Sequence, residues 1–278
     1  MNEFLLDHEP VIRLSCFFGI LILMAIWELL APRRPLTTSK TSRWLSNLGI
    51  VIMDTLGVRL ILPVQAVGMA LFVEAHGWGI LNNVILPPWM KIILGVLGLD
   101  LVIYFQHAMF HALPLFWRLH RMHHTDLDFD VTTGVRFHPL EILLSMGIKM
   151  AAVAVLGPSA VAVVLFEVLL NATSMFNHGN VRLPKEIDRV LRLLVVTPEM
   201  HRVHHSVVIK EYNSNFGFNF PWWDRLMGTY QGQPSRGHEG MTIGLSQYRD
   251  PRRLTLPGLL IQPFFEAGKY PFNRRSEI

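Results

Sequence analysis

Three apolar runs long enough to cross a bilayer, and two shorter ones hinged at Gly157-Pro158, fill most of the first 173 residues of this chain. A spanning helix needs about 20 predominantly apolar residues. A chain with several of them is committed to a helical bundle whose solvent is partly lipid. The composition agrees: 51% of the 278 residues are hydrophobic and only 17% charged, too apolar for an ordinary soluble domain.

The first run, Leu14 to Trp27, lies between Arg13 and Glu28, behind an acidic leader (Glu3, Asp7, Glu9) that does not suit a cleaved signal peptide. Arg33, Arg34, Lys40 and Arg43 follow, and the positive-inside rule puts them in the cytoplasm. The second run, Leu45 to Val73, is interrupted by Asp54, Arg59 and Pro63. We expect a kink or tilt at the proline and interhelical pairing for the two charges. The third run, Trp89 to about Met109, re-enters behind a segment, Glu74 to Pro88, with almost no positive charge. Ile142–Leu156 and Ala160–Thr173 then read as a helical hairpin entering from and returning to the same side. Lys149 and Glu167 lie at similar distances from its turn and are expected to pair within the membrane. From Asn177 onward no run spans, and Arg182, Lys185, Arg189, Arg192 and Arg202 place the chain in the cytoplasm. The tail Leu256–Phe265 is apolar, with proline and glycine breaks, and suits the membrane surface. The expected fold is thus all-α: about three spans plus a hairpin at 142–173, under a cytoplasmic histidine-rich helical cap. Residues 1–113 form the N-terminal transmembrane helices, and 114–278 the catalytic region.

Eight of the 13 histidines fall into three helix-spaced clusters at the ends of these runs: His107 and His111; His120, His123 and His124; His201, His204 and His205. Residues three and four apart share a helix face, so each cluster can aim its imidazoles at one point. Asp100, Tyr104, His107 and His111 make one polar stripe on an apolar helix, which has to face the bundle interior or a wet cavity. Thr197-Pro198-Glu199 reads as the start of the helix carrying the third cluster. Topology assigned from Lys and Arg alone puts all three clusters on one side.

Neutral imidazole binds Fe, Zn, Cu and Ni alike. Ligand number says more, because a closed zinc site takes four ligands and a catalytic one three. Eight or more histidines suit two ions, and two irons fit, with zinc as a substitute in recombinant protein. Glutamate is absent from the clusters, which excludes the carboxylate-bridged di-iron class. The single cysteine, Cys16, excludes thiolate sites. His8, His76 and His238 read as ordinary packed or solvated side chains. The net charge of +4 marks loops facing anionic lipid, and no aromatic–basic pattern argues for nucleic acid.

The chain resembles the fatty acid hydroxylase/sterol desaturase superfamily of integral membrane di-iron oxygenases. The likeness covers about Asp100 to Tyr230. It rests on Asp100-x-x-x-Tyr104-x-x-His107-x-x-x-His111, the two H-x-x-H-H boxes, Arg136-Phe137-His138-Pro139-Leu140-Glu141, Asn177-His178, and Trp223-Asp224-Arg225-Leu226-Met227-Gly228-Thr229-Tyr230. The resemblance implies His178 as a further ligand. Some members carry another histidine four residues earlier, where this chain has Ser174, leaving room for a water. His138 stands between a ligand or ligand-supporting role and a helix-start role. Asp100 and Glu141 are candidates to orient ligand imidazoles, with Tyr104 beside them, and Trp223-Asp224-Arg225 to fix the tail under the centre.

The resemblance further implies that two Fe(II) ions reduce O2 and that an unactivated C–H bond of a lipid (acyl, sterol or isoprenoid) is hydroxylated. Desaturation or ether-lipid oxygenation on the same centre is the second reading. A non-enzymatic metal carrier or transporter is the third, and it needs a polar path across the membrane. No dinucleotide fingerprint, cysteine set or haem domain is visible, so a separate ferredoxin, cytochrome or reductase is expected as electron donor. Arg118, Arg121, Lys185 and Arg189 are candidate docking residues. The expected location is a multi-pass position in a bacterial inner membrane, with the active site on the cytoplasmic face.

Overall fold

The structure, a computed structural model, describes residues 2–265. Residues 266–278, the end of the expected catalytic region, lie outside the described residues. In chain order the helices are α1 (Asn2–Asp7), α2 (Glu9–Leu30), α3 (Lys40–Ile61), α4 (Ala66–Ala75), α5 (Pro88–Ala112), α6 (Pro114–His124), α7 (Pro139–Leu156) and α8 (Ala160–Asn177). The cap continues with α9 (Lys185–Leu191), α10 (Pro198–His204), α11 (Ile209–Tyr212), α12 (Trp222–Met227), α13 (Gly237–Gly240) and α14 (Leu256–Ile261). Two isolated bridges, Pro32–Val181 and Ser206–Ile243, are the only β-type pairing among the described residues. Five helical stretches are long and apolar enough to cross a membrane: Glu9–Leu30, Lys40–Ala75, Pro88–Ala112, Pro139–Leu156 and Ala160–Asn177. The fold is an all-α membrane fold.

Local sequence explains where the elements begin and end. Pro63 has no N–H to donate and its ring obstructs the preceding turn. The second run is therefore broken rather than kinked, with α3 closing on Leu62 N–H to the Val58 carbonyl and α4 opening with Met69 N–H to the Gln65 carbonyl. The hairpin turns as expected. Gly157 ends α7 in the left-handed region (φ 63°), and the Ser159 hydroxyl caps α8 by accepting from Ala162 N–H. Gly79, at φ 85°, lies so close to that turn that a Cβ would fall 2.4 Å from the Gly157 backbone.

α5 packs against α6, α7 and α8, while α2 lies along α8, α3 along α7, and α4 against both arms of the hairpin. Small and branched side chains (Ala66, Ala70, Val96, Leu99, Ile103, Val163 and Phe166) fill the space between them. The outer faces stay apolar: Leu14, Phe18, Ile22, Leu29, Leu45, Ile52, Leu56 and Leu60 are all exposed, as lipid-facing side chains would be.

The expected intramembrane pair is present. Lys149 Nζ lies 2.7 Å from Glu167 Oε1, and Arg13 Nη1 joins at 3.0 Å from Glu167 Oε2. Asp54 and Arg59 do not pair. Neither makes an ion pair among the described residues, and Asp54 Oδ1 is buried without a hydrogen-bond partner. They sit on one helix and no opposite charge on α7 comes within reach of them. Arg43, counted above as a loop cation, is buried. Its guanidinium grips Asp126 (2.7 and 2.8 Å) and Asp130 (2.5 Å), pinning the wholly buried segment after α6 onto α3.

Candidate metal centre

Four elements deliver nine imidazoles to one buried region. α5 carries His107 and His111, and α6 carries His120, His123 and His124. His178 caps the end of α8. α10 carries His201 and His204, and His205 is its C-cap. The Thr197 cap on Met200 N–H and Pro198 at the first position start α10 as its sequence requires. The nine fall into two sets, and in each the candidate ligand atoms lie within 4.8 Å of one another: His107, His111, His120, His124 and His204; and His123, His178, His201 and His205.

Helix geometry explains the split. The i, i+4 pair His120/His124 goes to the first set and the odd member, His123, to the second. In the other box the i, i+4 pair His201/His205 goes to the second set and His204 to the first. The sets adjoin: the rings of His124 and His205 are 4.6 Å apart, and within the first set those of His111 and His124 are 4.8 Å apart.

The hydrogen bonds show what the region is built to hold. His107 Nδ1–H donates to the Phe216 carbonyl (2.7 Å), His204 Nδ1–H to Ser214 (2.6 Å), His178 Nδ1–H to Ser174 (2.7 Å) and His123 Nδ1–H to Arg136 (3.2 Å). His120 Nδ1–H donates to Glu141 Oε1 at 2.6 Å. With the proton fixed on Nδ1, each Nε2 of a neutral ring presents a lone pair. Yet two such nitrogens meet in each set: His107 Nε2 faces His120 Nε2 at 3.1 Å, and His178 Nε2 faces His123 Nε2 at 3.1 Å. The Nε2 atoms of His201 and His205, whose Nδ1 atoms have no hydrogen-bond partner among the described residues, lie 3.1 and 3.2 Å from that of His178. Lone pairs crowded in this way repel unless a cation lies among them.

The rings are also held neutral, the form that binds metal. Burial brings His120 and His178 down to about 3. Burial, then the neighbouring imidazoles, pushes His123, His124, His201, His204 and His205 well below the ordinary histidine range. The donor set, all imidazole nitrogen, fits Fe, Zn or Cu.

Residues 92–229, about half of the chain, match the fatty acid hydroxylase family. The chain belongs to the fatty acid hydroxylase superfamily. It is 27% identical over 190 residues to the ornithine lipid hydroxylase OlsE of Rhizobium tropici, covering 67% of this chain and 54% of that protein. It is 26% identical over 188 residues to alkylglycerol monooxygenase of Homo sapiens, covering 66% and 40%. To a very-long-chain aldehyde decarbonylase of Oryza sativa subsp. indica it is 26% identical over 180 residues, covering 62% and 66%. The chain thus spans about half the length of the first two of these relatives. No solved structure gives a significant match.

In this member of the superfamily the remaining candidate residues divide. Glu141 meets His120, as a ligand-orienting carboxylate should. His138 does not join the imidazoles. It accepts from Leu140 N–H (3.2 Å) to cap α7, and its Nε2–H donates to the Leu260 carbonyl (3.0 Å), so both nitrogens are engaged in starting a helix and docking α14. Asp100 accepts from Trp223 Nε1–H at 2.7 Å, tying α5 to α12 and orienting no imidazole. Tyr104 bonds Thr229 Oγ1 at 2.8 Å. Thr229 in turn donates to Asp224, whose carboxylate accepts Phe216 N–H (2.8 Å) and Gly217 N–H (2.9 Å). The Trp223-Asp224-Arg225 segment therefore holds the loop whose carbonyls orient His107 and His204. Ser174 donates to the Gly134 carbonyl at 2.6 Å. Of the expected docking cations, Arg121 is fully buried and donates to the Gln262 and Phe265 carbonyls at 2.6 and 2.7 Å.

Sequence reasoning missed the carbonyls of Ser214 and Phe216, which no residue type announces. It also missed Phe137, stacked on His123 at 4.5 Å.

A cavity of about 240 Å³ runs from His107 and His120, past Phe137 and Phe218, to Lys149 and Glu167 between the arms of the hairpin. Asp54 and Gln106 line it as well. It joins the first histidine set, and not the second, to the interior of the bundle.

Proposed function

We propose that the chain is an oxidoreductase of membrane lipids, a hydroxylase whose nine clustered imidazoles hold two iron ions. The observation that carries this reading is a pair of Nε2 lone pairs facing each other at 3.1 Å in each half of a buried site. Such a cage needs two cations, with five nitrogens available to one and four to the other. Iron, when bound, supplies the redox chemistry by which O2 is activated for attack on an unactivated C–H bond. In this proposal residues 114–278 are the catalytic region and take His107 and His111 from the last N-terminal span.

The protein's part is orientation and exclusion of water. Glu141 and four backbone carbonyls fix five rings before any substrate arrives. The apolar cavity admits a chain from the bilayer and brings one carbon beside His107 and His120. The named relatives act on lipids or long-chain aldehydes, which supports a lipid substrate here. Similarity to alkylglycerol monooxygenase favours one second reading, oxygenation of an ether lipid, with desaturation beside it. The electron donor is a separate ferredoxin, cytochrome or reductase, and the cap faces the cytoplasm of a bacterial inner membrane.

Lipid extracts of a deletion strain and the wild type, compared after growth under 18O2, test the reading. A product that carries the label and is lost on deletion supports hydroxylation. A product lost without label indicates desaturation. Unchanged lipids overturn the proposal. Purified protein should not turn over with NAD(P)H and O2 alone. Metal analysis belongs on protein from iron-replete cells, since zinc binds imidazole well.

A further inference from the structure

Part of the cap lies level with the membrane spans. Trp223 Nε1–H donates to Asp100, which is twelve residues from either end of α5. At 1.5 Å per residue α12 therefore lies alongside α5, about 18 Å back along it from the end that carries His111, and not beyond that end. Beside Trp223, the side chains of Trp222, Leu226 and Met227 point outward, with Leu226 72% exposed. Trp222 Nε1–H donates to the Leu193 carbonyl and Arg225 to the Arg192 carbonyl, so α12 and the end of α9 form one surface. That surface continues through exposed Leu194, Leu193, Val190 and Ile187. On the span itself Phe105 is 50% exposed. The patch and the span to which it is tied thus both expose apolar side chains.

The other face of α9 is basic. Within α9, Lys185 and Arg189 lie four apart on one face, away from Ile187 and Val190, and Arg192 and Leu194 follow its end. With Arg182 and Arg33 they line a groove of about 930 Å³. The acids in that groove are already engaged. Asp188 pairs with Arg192, Glu239 with Arg33, and Glu199 with Arg33, Arg202 and His238. Arg182 and Lys185 make no ion pair among the described residues, and Arg189 meets only Glu186 in an open pair. An apolar face backed by a basic one is the pattern of a helix lying in a membrane interface.

We propose that residues 182–194 and α12 form an interfacial anchor. Val190, Leu194 and Leu226 are immersed in acyl chains, and Arg182, Lys185 and Arg189 hold the phosphate of an anionic phospholipid headgroup. This differs from the cytoplasmic placement expected for the stretch from Arg182 to Arg202, with only the tail Leu256–Phe265 expected at the membrane surface. It brings the imidazole centre to the boundary of the hydrocarbon rather than into water above it.

Depth measurement tests the anchor without reference to activity. Nitroxides are placed on Val190→Cys, Leu194→Cys and Leu226→Cys in a Cys16→Ser background, with Arg236→Cys as an exposed reference. The full chain is held in nanodiscs of POPC and POPG at 7:3. The three patch labels should be several-fold more accessible to O2 than to a nickel chelate, and the reference label the reverse. Water-like behaviour at the patch overturns the anchor and favours a soluble acidic partner at the groove. Exclusion of both reagents overturns it in favour of protein cover, from a second copy or residues 266–278.

Native mass spectrometry tests the headgroup. The wild type should retain POPG over POPC, and the Arg182→Gln, Lys185→Gln, Arg189→Gln variant should lose that preference by about fivefold per cation. Retention unchanged in the variant overturns the headgroup assignment.

Discussion

The five-imidazole set and the four-imidazole set draw on the same two boxes but are supported differently. In the first, His120 leans on a carboxylate, Glu141, while His107 and His204 lean on the carbonyls of the 214–216 loop. In the second, His123 and His178 have backbone carbonyls alone. The first set borders the cavity that reaches into the bundle. The second borders Phe129, whose ring stacks on His178 at 5.3 Å and lies beneath the Arg202 guanidinium, on the side of the basic groove. One half of the centre therefore looks into the interior of the bundle, and the other toward the cap surface. Two similar sets of imidazoles sit in two different neighbourhoods.

Removing single ligands gives the sharpest test of that division, and the largest expected effect. His123→Ala and His204→Ala should each abolish activity, by more than about 100-fold, while the protein stays inserted in the membrane. Metal content should tell the halves apart. His201→Ala leaves three nitrogens in its set, and bound iron should fall from two ions toward one. His111→Ala leaves four, and the content should stay near two. Equal loss in both would mean that the sets do not bind independently. Full activity in either of the first pair would count against the assignment of the centre.

Protons should act on both halves alike, because both keep their rings neutral. His120 and His178 titrate in the folded protein at about 3, against about 6.5 unfolded. The unfolded chain therefore binds more protons below pH 6.5, and stability falls as pH falls through that window. Each such histidine contributes a slope of up to about 1.4 kcal/mol per pH unit. The metal-free cap should lose stability steeply between pH 6.5 and 5, followed by hydrogen exchange of α10. Metal loading should move that loss to lower pH, since ions and protons compete for the same lone pairs. A flat profile between pH 7 and 5 would show that the imidazoles are hydrated.

Much of this was legible in the sequence, and for definite reasons. Histidines spaced three and four apart on helices have only one face to share, so eight of the nine that converge could be named from spacing, and the family resemblance added His178. The Gly157-Pro158 turn set the level at which Lys149 meets Glu167, and Thr197-Pro198 set the start of α10. What could not be read depends on contacts between distant segments. The sorting of His123 away from His120 and His124 requires the rotation of α6 against α10. Arg43 reads as a loop cation until Asp126 and Asp130 fold back on it. Arg121 reads as a surface cation until α14 arrives with the Gln262 carbonyl. Asp54 and Arg59 suggest a partner because lone charges in lipid are costly, but the pattern cannot say that none is in reach. His138 has metal-ligand chemistry, and only its place before Pro139 commits it to a cap instead.

The smallest expected effect isolates the one support that distinguishes the two halves. Glu141 borders the proposed substrate cavity as well as orienting His120, so metal affinity rather than activity reads its action through the ring. Gln at this position keeps an oxygen that can accept from Nδ1–H but removes the charge, so the ring stays oriented while its Nε2 becomes a poorer donor to metal. Ala removes both. Loss of such a ligand partner weakens metal affinity or activity by about 10–100-fold, so Glu141→Gln should sit near the lower figure and Glu141→Ala near the upper. Metal affinity by competition with a chelator separates the two contributions from any effect on folding. The four-imidazole set should keep its ion in both variants, because its supports are main-chain carbonyls that the substitutions leave in place. If the ion in that second set is lost as readily as the first, the halves share their supports and the contrast between them fails.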